Sequence, residues 1–180
     1  FNFRQLGSNC GIAGQHAAIE LDGRIFWMGA KDFFVYDGAV KNLPCTVRRY
    51  VFDDFNYDQK NKVYAGTNQE FREVTWLYPS KDSNEVDRYV SYNPVENYWT
   101  FGTTIFTTWE DKEVFQNIIT TGQEADGDNY LYTNEPEGIY TADGQKQEAF
   151  LESSEFDTTP PSYGPGDSIM YLDRIVPDFT

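Results

Sequence analysis

Twenty consecutive residues, Ile19 to Gly38, confine this chain to antiparallel β structure: Ile-Glu-Leu-Asp-Gly-Arg-Ile-Phe-Trp-Met-Gly-Ala-Lys-Asp-Phe-Phe-Val-Tyr-Asp-Gly. Ile19-Glu20-Leu21 leads into a turn at Asp22-Gly23, and Arg24 to Met28 forms the returning strand. A second turn at Gly29 to Asp32 leads into Phe33 to Tyr36, closed by Asp37-Gly38. Asp-Gly between β-rich runs signals a hairpin, because glycine accepts the positive φ that tight turns require. The strands carry Ile, Phe, Trp, Val and Tyr, side chains that suit a pleated, half-buried surface.

The same plan recurs twice. A second unit has Val63-Tyr64-Ala65, a turn at Gly66 to Gln69, Glu73 to Tyr78, and a polar loop at Pro79 to Glu85. Arg88 to Tyr92 follows, then an Asn93-Pro94 turn into Asn97 to Phe101, with Gly102 closing the unit. The third has Thr104 to Trp109, Val114 to Thr120, an acidic turn at Gly122 to Asp128, Tyr130 to Tyr132, and a turn into Ile139-Tyr140. Three lines superpose: Asp32-Phe33-Phe34-Val35-Tyr36, Asp87-Arg88-Tyr89-Val90-Ser91 and Asp128-Asn129-Tyr130-Leu131-Tyr132. Phe34, Tyr89 and Tyr130 lie 55 and 41 residues apart. That is a degenerate repeat at the period of four-stranded propeller blades. The fold expected is therefore all-β, built of antiparallel meanders of β-propeller-blade type, with a β-sandwich as the alternative. The units span about 16–61, 62–102 and 103–146, and a C-terminal strand pair occupies 147–180.

Outside the units the pattern is weaker. Residues Phe1 to Gln15, with Gly7, Gly11 and Gly14, read as loop; they lack the Gly-x-Gly pair and the Lys-Ser/Thr that a phosphate-binding loop needs. Val40 to Asn61 reads as a connector broken at Leu43-Pro44, with a short helix or strand at Thr46 to Phe52 and a turn at Asp53 to Tyr57. The tail offers Ala149 to Ser154 and Ile169 to Ile175 as antiparallel strands, separated by a Pro- and Gly-rich connector at Thr158 to Gly166. The first residues, Phe1-Asn2-Phe3-Arg4, show neither an initiator Met nor a signal-peptide pattern, so the chain is expected to be a processed product or part of something longer.

Charge and composition remove several functions. A net charge of −15 repels phosphate, which argues against sequence-reading contact with DNA or RNA. No run of 18 apolar residues is present, so no membrane-crossing helix is expected. The two cysteines, Cys10 and Cys45, are too few for a disulfide framework and read as small buried thiols, although a single bridge between them stays open.

No catalytic, cofactor or metal site is expected. Nucleophilic triads need a histidine base, and His16, the single one in the chain, has no nucleophile signature near it. One His and two distant Cys do not make a zinc site. Asp126-Gly127-Asp128-Asn129 has a faint calcium-loop look, but Tyr130 and Leu131 occupy the positions where an EF-hand needs a ligand and a glycine. Asp53-Asp54, Glu110-Asp111 and the group Glu152, Glu155 and Asp157 supply carboxylate pairs such as a glycosidase uses, yet 29 acids produce pairs by chance. Trp99, Phe101 and Trp109 are the aromatics that would stack on sugar rings if they are not core.

A resemblance supplies what the residues alone do not. Gly14-Gln15-His16-Ala17-Ala18-Ile19, Asp22 to Gly29 and Phe33 to Gly38 resemble segments of the tail proteins of short-tailed bacteriophages, the nozzle or tail tubular protein B and related hub and stabilisation proteins. Trp76-Leu77-Tyr78-Pro79, Asp87 to Asn93, Tyr98-Trp99 and Arg174-Ile175-Val176-Pro177-Asp178 carry the same likeness, which covers most of residues 10–180. It implies part of a longer, non-enzymatic virion protein built around a β-propeller and assembled in the host cytoplasm as a homo-oligomeric ring, typically a hexamer. Such a ring sits beneath the portal's adaptor ring, lines the conduit for genome ejection without sequence-specific DNA binding, and holds tail fibres or spikes. The alternatives are a glycan- or protein-binding propeller module and, more remotely, a carboxylate glycoside hydrolase.

Overall fold

The computed structural model describes residues 4–112, 115–124, 127–134 and 136, together with the backbone of 141–142 and 145–146. Two compact units divide the chain, Phe1–Ile139 and Tyr140–Thr180. Among its described residues the first is mainly antiparallel β structure, in keeping with its β-branched and aromatic runs between short turns. A four-stranded meander, order β1-β2-β3-β4, comprises Ala18–Leu21, Arg24–Met28, Phe33–Tyr36 and Val40–Leu43. A second, β5-β6-β7-β8, comprises Tyr64–Asn68, Glu73–Tyr78, Arg88–Asn93 and Tyr98–Thr103. A three-stranded sheet, order β11-β10-β9, comprises Phe106–Glu110 (β9), Ile119–Gln123 (β10) and Asn129–Thr133 (β11). In the second unit, β12 (Thr141–Ala142) pairs antiparallel with β13 (Gln145–Lys146). The expected strands at 149–154 and 169–175, and with them Glu152, Glu155 and Asp157, lie outside the described residues, as do Val114, Asp126, Ile139 and Tyr140.

Several expectations need correction. Val40–Leu43 is a fourth strand and not part of a connector. Lys41 and Asn42 are both exposed and Leu43 alone is buried, so the segment lacks the alternation that would reveal a strand. Gly66 and Gly102 do not make turns; both sit inside strands, β5 and β8. The turn in the second meander instead falls at residues 69–72, where Arg72 has a φ of 55°. β10 begins at Ile119, later than expected, and runs through Gly122 to Gln123. The segment Thr46 to Phe52, readable as helix or strand, resolves into the helix α1, Arg48–Asp53, followed by a 3-10 turn at Tyr57–Lys62.

The repeated line has a structural meaning. Asp32, Asp87 and Asp128 each immediately precede the third strand of their sheet, and Phe34, Tyr89 and Tyr130 each occupy its second position. The three aspartates all use their main-chain carbonyls to fix the local turn or join, accepting from Gly29 (2.9 Å), Thr104 (3.0 Å) and Glu124 (3.1 Å). In sheets one and two the aspartate side chains are also engaged: Asp32 pairs with Arg48, and Asp87 accepts from the Ser80 amide and hydroxyl, both at 2.7 Å.

The core lies between the first two sheets. On β2 and β3, Phe26, Met28, Phe33 and Val35 fall on one face by the period-two rule. Val74, Trp76, Val90 and Tyr92 fall on the matching face of β6 and β7. Phe33 sits 4.8 Å from Trp76 and 4.9 Å from Trp99, ring centre to ring centre, and Phe52 of α1 closes the cluster at 5.2 Å from Phe33. These tilted separations are the favourable ones for aromatic quadrupoles.

The first strands of successive sheets are neighbours. His16 makes a parallel bridge to Tyr64, and the Ala65 amide donates to the His16 carbonyl at 2.7 Å. β1 thus lies beside β5, and β5 in turn lies beside β9. The three sheets follow one another through their leading strands.

Candidate functional site

β6 presents two unlike faces. Val74, Trp76 and Tyr78 enter the core, whereas Glu73, Thr75 and Leu77 point to the opposite side, toward β9. On β7 that same side carries Tyr89 and Ser91, and on β5 it carries Gly66. A cavity of about 230 Å³ opens there, lined by these side chains with Asn68, Thr103, Thr104, Phe106 and Trp109.

Two strand glycines shape it. A Cβ on Gly66 would overlap the Trp109 indole, and one on Gly102 would come within 2.7 Å of the Tyr89 ring. Glycine inside a strand commonly marks such close approach. The absence of side chains at 66 and 102 therefore lets two aromatic rings settle against the sheet. Trp109 is further oriented because its indole N–H donates to the Thr67 carbonyl at 2.7 Å. Thr67 in turn donates its hydroxyl to Asp111 at 2.8 Å, tying the end of β9 to β5.

The floor is polar. Thr75 and Ser91, both buried, share a hydrogen bond of 2.6 Å between their hydroxyls. Each hydroxyl carries one hydrogen, so the accepting partner keeps its own for another acceptor. At the rim, Glu73 accepts from the Tyr98 hydroxyl at 2.9 Å, and Thr104 accepts from the Phe106 amide at 3.0 Å. Among the described residues, no Lys or Arg lines the cavity.

The residues singled out from sequence fall in separate places. Of the three candidate stacking aromatics, Trp109 alone lines this cavity. Trp99 packs against the core, stacked 6.1 Å from Trp76, with its indole N–H on the Pro44 carbonyl. Phe101 lies 4.1 Å from Tyr50, on the surface. His16 stacks 5.1 Å from Tyr64 and contacts the Gln15 amide at 2.9 Å, and no serine or cysteine bonds to it among the described residues. Asp54 faces Arg88 at 3.4 Å, whereas Asp111 is engaged by Thr67, so neither expected acidic pair brings two free carboxylates together. No group of three His, Cys, Asp or Glu side chains is placed to hold a metal among the described residues.

Cys10 and Cys45 are both free thiols. Burial pushes the Cys45 thiol up to about 11, which keeps it protonated and unreactive at neutral pH. Burial likewise raises the Tyr78 phenol well above the ordinary tyrosine value. Sequence reasoning missed the cavity because Thr75, Ser91 and Glu73 look like the solvent face of a strand. The signal that was available is the pair of glycines inside otherwise β-rich runs.

No helix among the described residues is long and apolar enough to cross a membrane. No protein-family model matches the chain, and no curated protein matches it.

Proposed function

We propose that this chain is a structural, non-enzymatic part of a short-tailed bacteriophage tail, a nozzle- or hub-type protein whose meanders are β-propeller blades. The observation that carries the proposal is the succession of leading strands, β1 beside β5 beside β9, each opening an antiparallel meander. Blades arranged radially place their first strands side by side around an axis, and the parallel His16–Tyr64 bridge has that sense. The in-phase repeat of Asp32, Asp87 and Asp128 supports the same reading, and so does the likeness of the Trp76-Leu77-Tyr78-Pro79 and Asp87-to-Asn93 segments to tail proteins.

On this proposal the chain assembles with copies of itself into a ring, a hexamer in the family it resembles. The ring joins the portal's adaptor above and fibres or spikes at its side, in the virion tail. A net charge of −15 suits a conduit, since carboxylates repel passing phosphates that Lys and Arg would hold. Electron imaging of the purified chain tests this: closed rings with a central opening are expected. Dispersed single particles favour the rival, a stand-alone binding module.

A further inference from the structure

We propose that the cavity between the second and third sheets is a binding site for one uncharged sugar ring, such as the terminal residue of a glycan. This holds for the chain whether or not it assembles into a ring.

Size comes first. About 230 Å³ corresponds to roughly seven or eight waters at about 30 Å³ each in the liquid. That is below the range of about 300–1,000 Å³ typical of drug-sized ligands. A six-membered polyol ring is the appropriate scale.

Chemistry then selects among small ligands. A pyranose has apolar faces and a hydroxylated edge, and the cavity has matching parts. Trp109, Phe106 and Tyr89 supply aromatic surface. Thr75, Ser91 and Glu73 supply donors and acceptors on the sheet side. The Thr75–Ser91 pair retains one hydroxyl hydrogen for a ligand acceptor, and Glu73 has acceptor capacity beyond its bond from Tyr98.

Other ligand classes fit less well. An anion finds no basic side chain among the described lining residues and meets Glu73 instead. A quaternary ammonium ion suits aromatic walls and a carboxylate. It offers no acceptor to the buried hydroxyl pair, however, and leaving such a donor unmet is costly. Gly66 and Gly102 let the Trp109 and Tyr89 rings lie against the sheet, which fixes two aromatic walls of the cavity in place.

The test is a titration of the intact chain with a panel of neutral methyl glycosides, followed by NMR at the Trp109 indole N–H. That resonance is identified by its loss in Trp109→Phe. At least one glycoside is expected to shift it saturably, with a dissociation constant on the order of 1 mM, as about a dozen ligand atoms at ordinary efficiency provide. Ser91→Ala and Thr75→Val each remove one floor hydroxyl and little volume, and the one that removes the hydroxyl facing the ligand is expected to weaken that binding about tenfold, the value of one buried hydrogen bond. Unchanged far-ultraviolet spectra and melting profiles check that the fold persists. The proposal is overturned if no glycoside moves the Trp109 signal, or if both variants bind the same sugar as tightly as the unaltered chain. It is equally overturned if tetramethylammonium shifts the signal and the sugars do not.

Discussion

The indole N–H of Trp76, in the second sheet, donates to the main-chain carbonyl of Ala17, at the entrance to the first, across 3.1 Å. Fifty-nine positions separate the two in sequence. The bond is buried, and Trp76 is fully enclosed between Phe33 and Trp99. The Ala17 carbonyl also accepts from the Met28 amide at 3.0 Å, so losing the indole does not orphan it. Trp76→Phe therefore costs the indole's own packing and one hydrogen bond, about 2–3 kcal/mol. Denaturant unfolding measures this, and a loss under about 1 kcal/mol contradicts the placement of Trp76 at the centre of the core.

Gly66→Ala is a sharper probe of the join between β5 and β9. The added methyl overlaps the Trp109 ring, whose N–H is held by Thr67. Either the strand shifts or the indole leaves, and overpacking of this kind costs about 1–3 kcal/mol. Gly11→Ala is the control, since a Cβ there meets nothing within 4 Å. Equal melting temperatures for the two variants contradict the contact.

Tyr78 reaches the inside of the molecule with its hydroxyl buried and without a hydrogen-bond partner among the described protein groups. Removing an unsatisfied buried hydroxyl is close to neutral or stabilising, because the folded state no longer carries its desolvation penalty. Tyr78→Phe is expected to change stability by less than about 1 kcal/mol or to raise it. A loss beyond about 2 kcal/mol shows that the phenol makes a strong bond in solution.

Much of the first two meanders was legible in the sequence. The Asp22-Gly23 turn and the β-branched and aromatic runs along Arg24–Met28 and Glu73–Tyr78 leave few other folds. The repeat of Asp32, Asp87 and Asp128 marks the third strand of each sheet. Val40–Leu43 was hidden because an edge strand with Lys41 and Asn42 both exposed shows no alternation. Gly66 and Gly102 misled for the opposite reason: glycine as a turn former is the commoner use, and only the positions of Trp109 and Tyr89, distant in sequence, reveal the other one. The cavity shares that fate, since it draws on β5 to β9, and no local pattern encodes such a gathering.

Cys45 gives a chemical prediction. Its value rises from an ordinary 9.0 to about 11 because burial penalises the thiolate. At pH 8 only about one Cys45 in a thousand is then ionised, and alkylation by iodoacetamide is expected to be slow until the chain unfolds. The sign for stability follows. The folded state holds this proton more tightly than the unfolded one, so the contribution is complete below pH 9 and is lost as pH rises through about 11. Mass mapping of alkylated cysteines checks the first point, and melting temperature between pH 8 and 11 in Cys45→Ser against the unaltered chain checks the second. Rapid native labelling of Cys45 contradicts both.

Assembly into a ring is tested most directly by native mass. A ring subunit is expected to give, by light scattering or native mass spectrometry, a discrete species at a fixed whole multiple of 20.8 kDa, six copies for a hexamer. A chain that remains at 20.8 kDa across the accessible concentration range contradicts the ring.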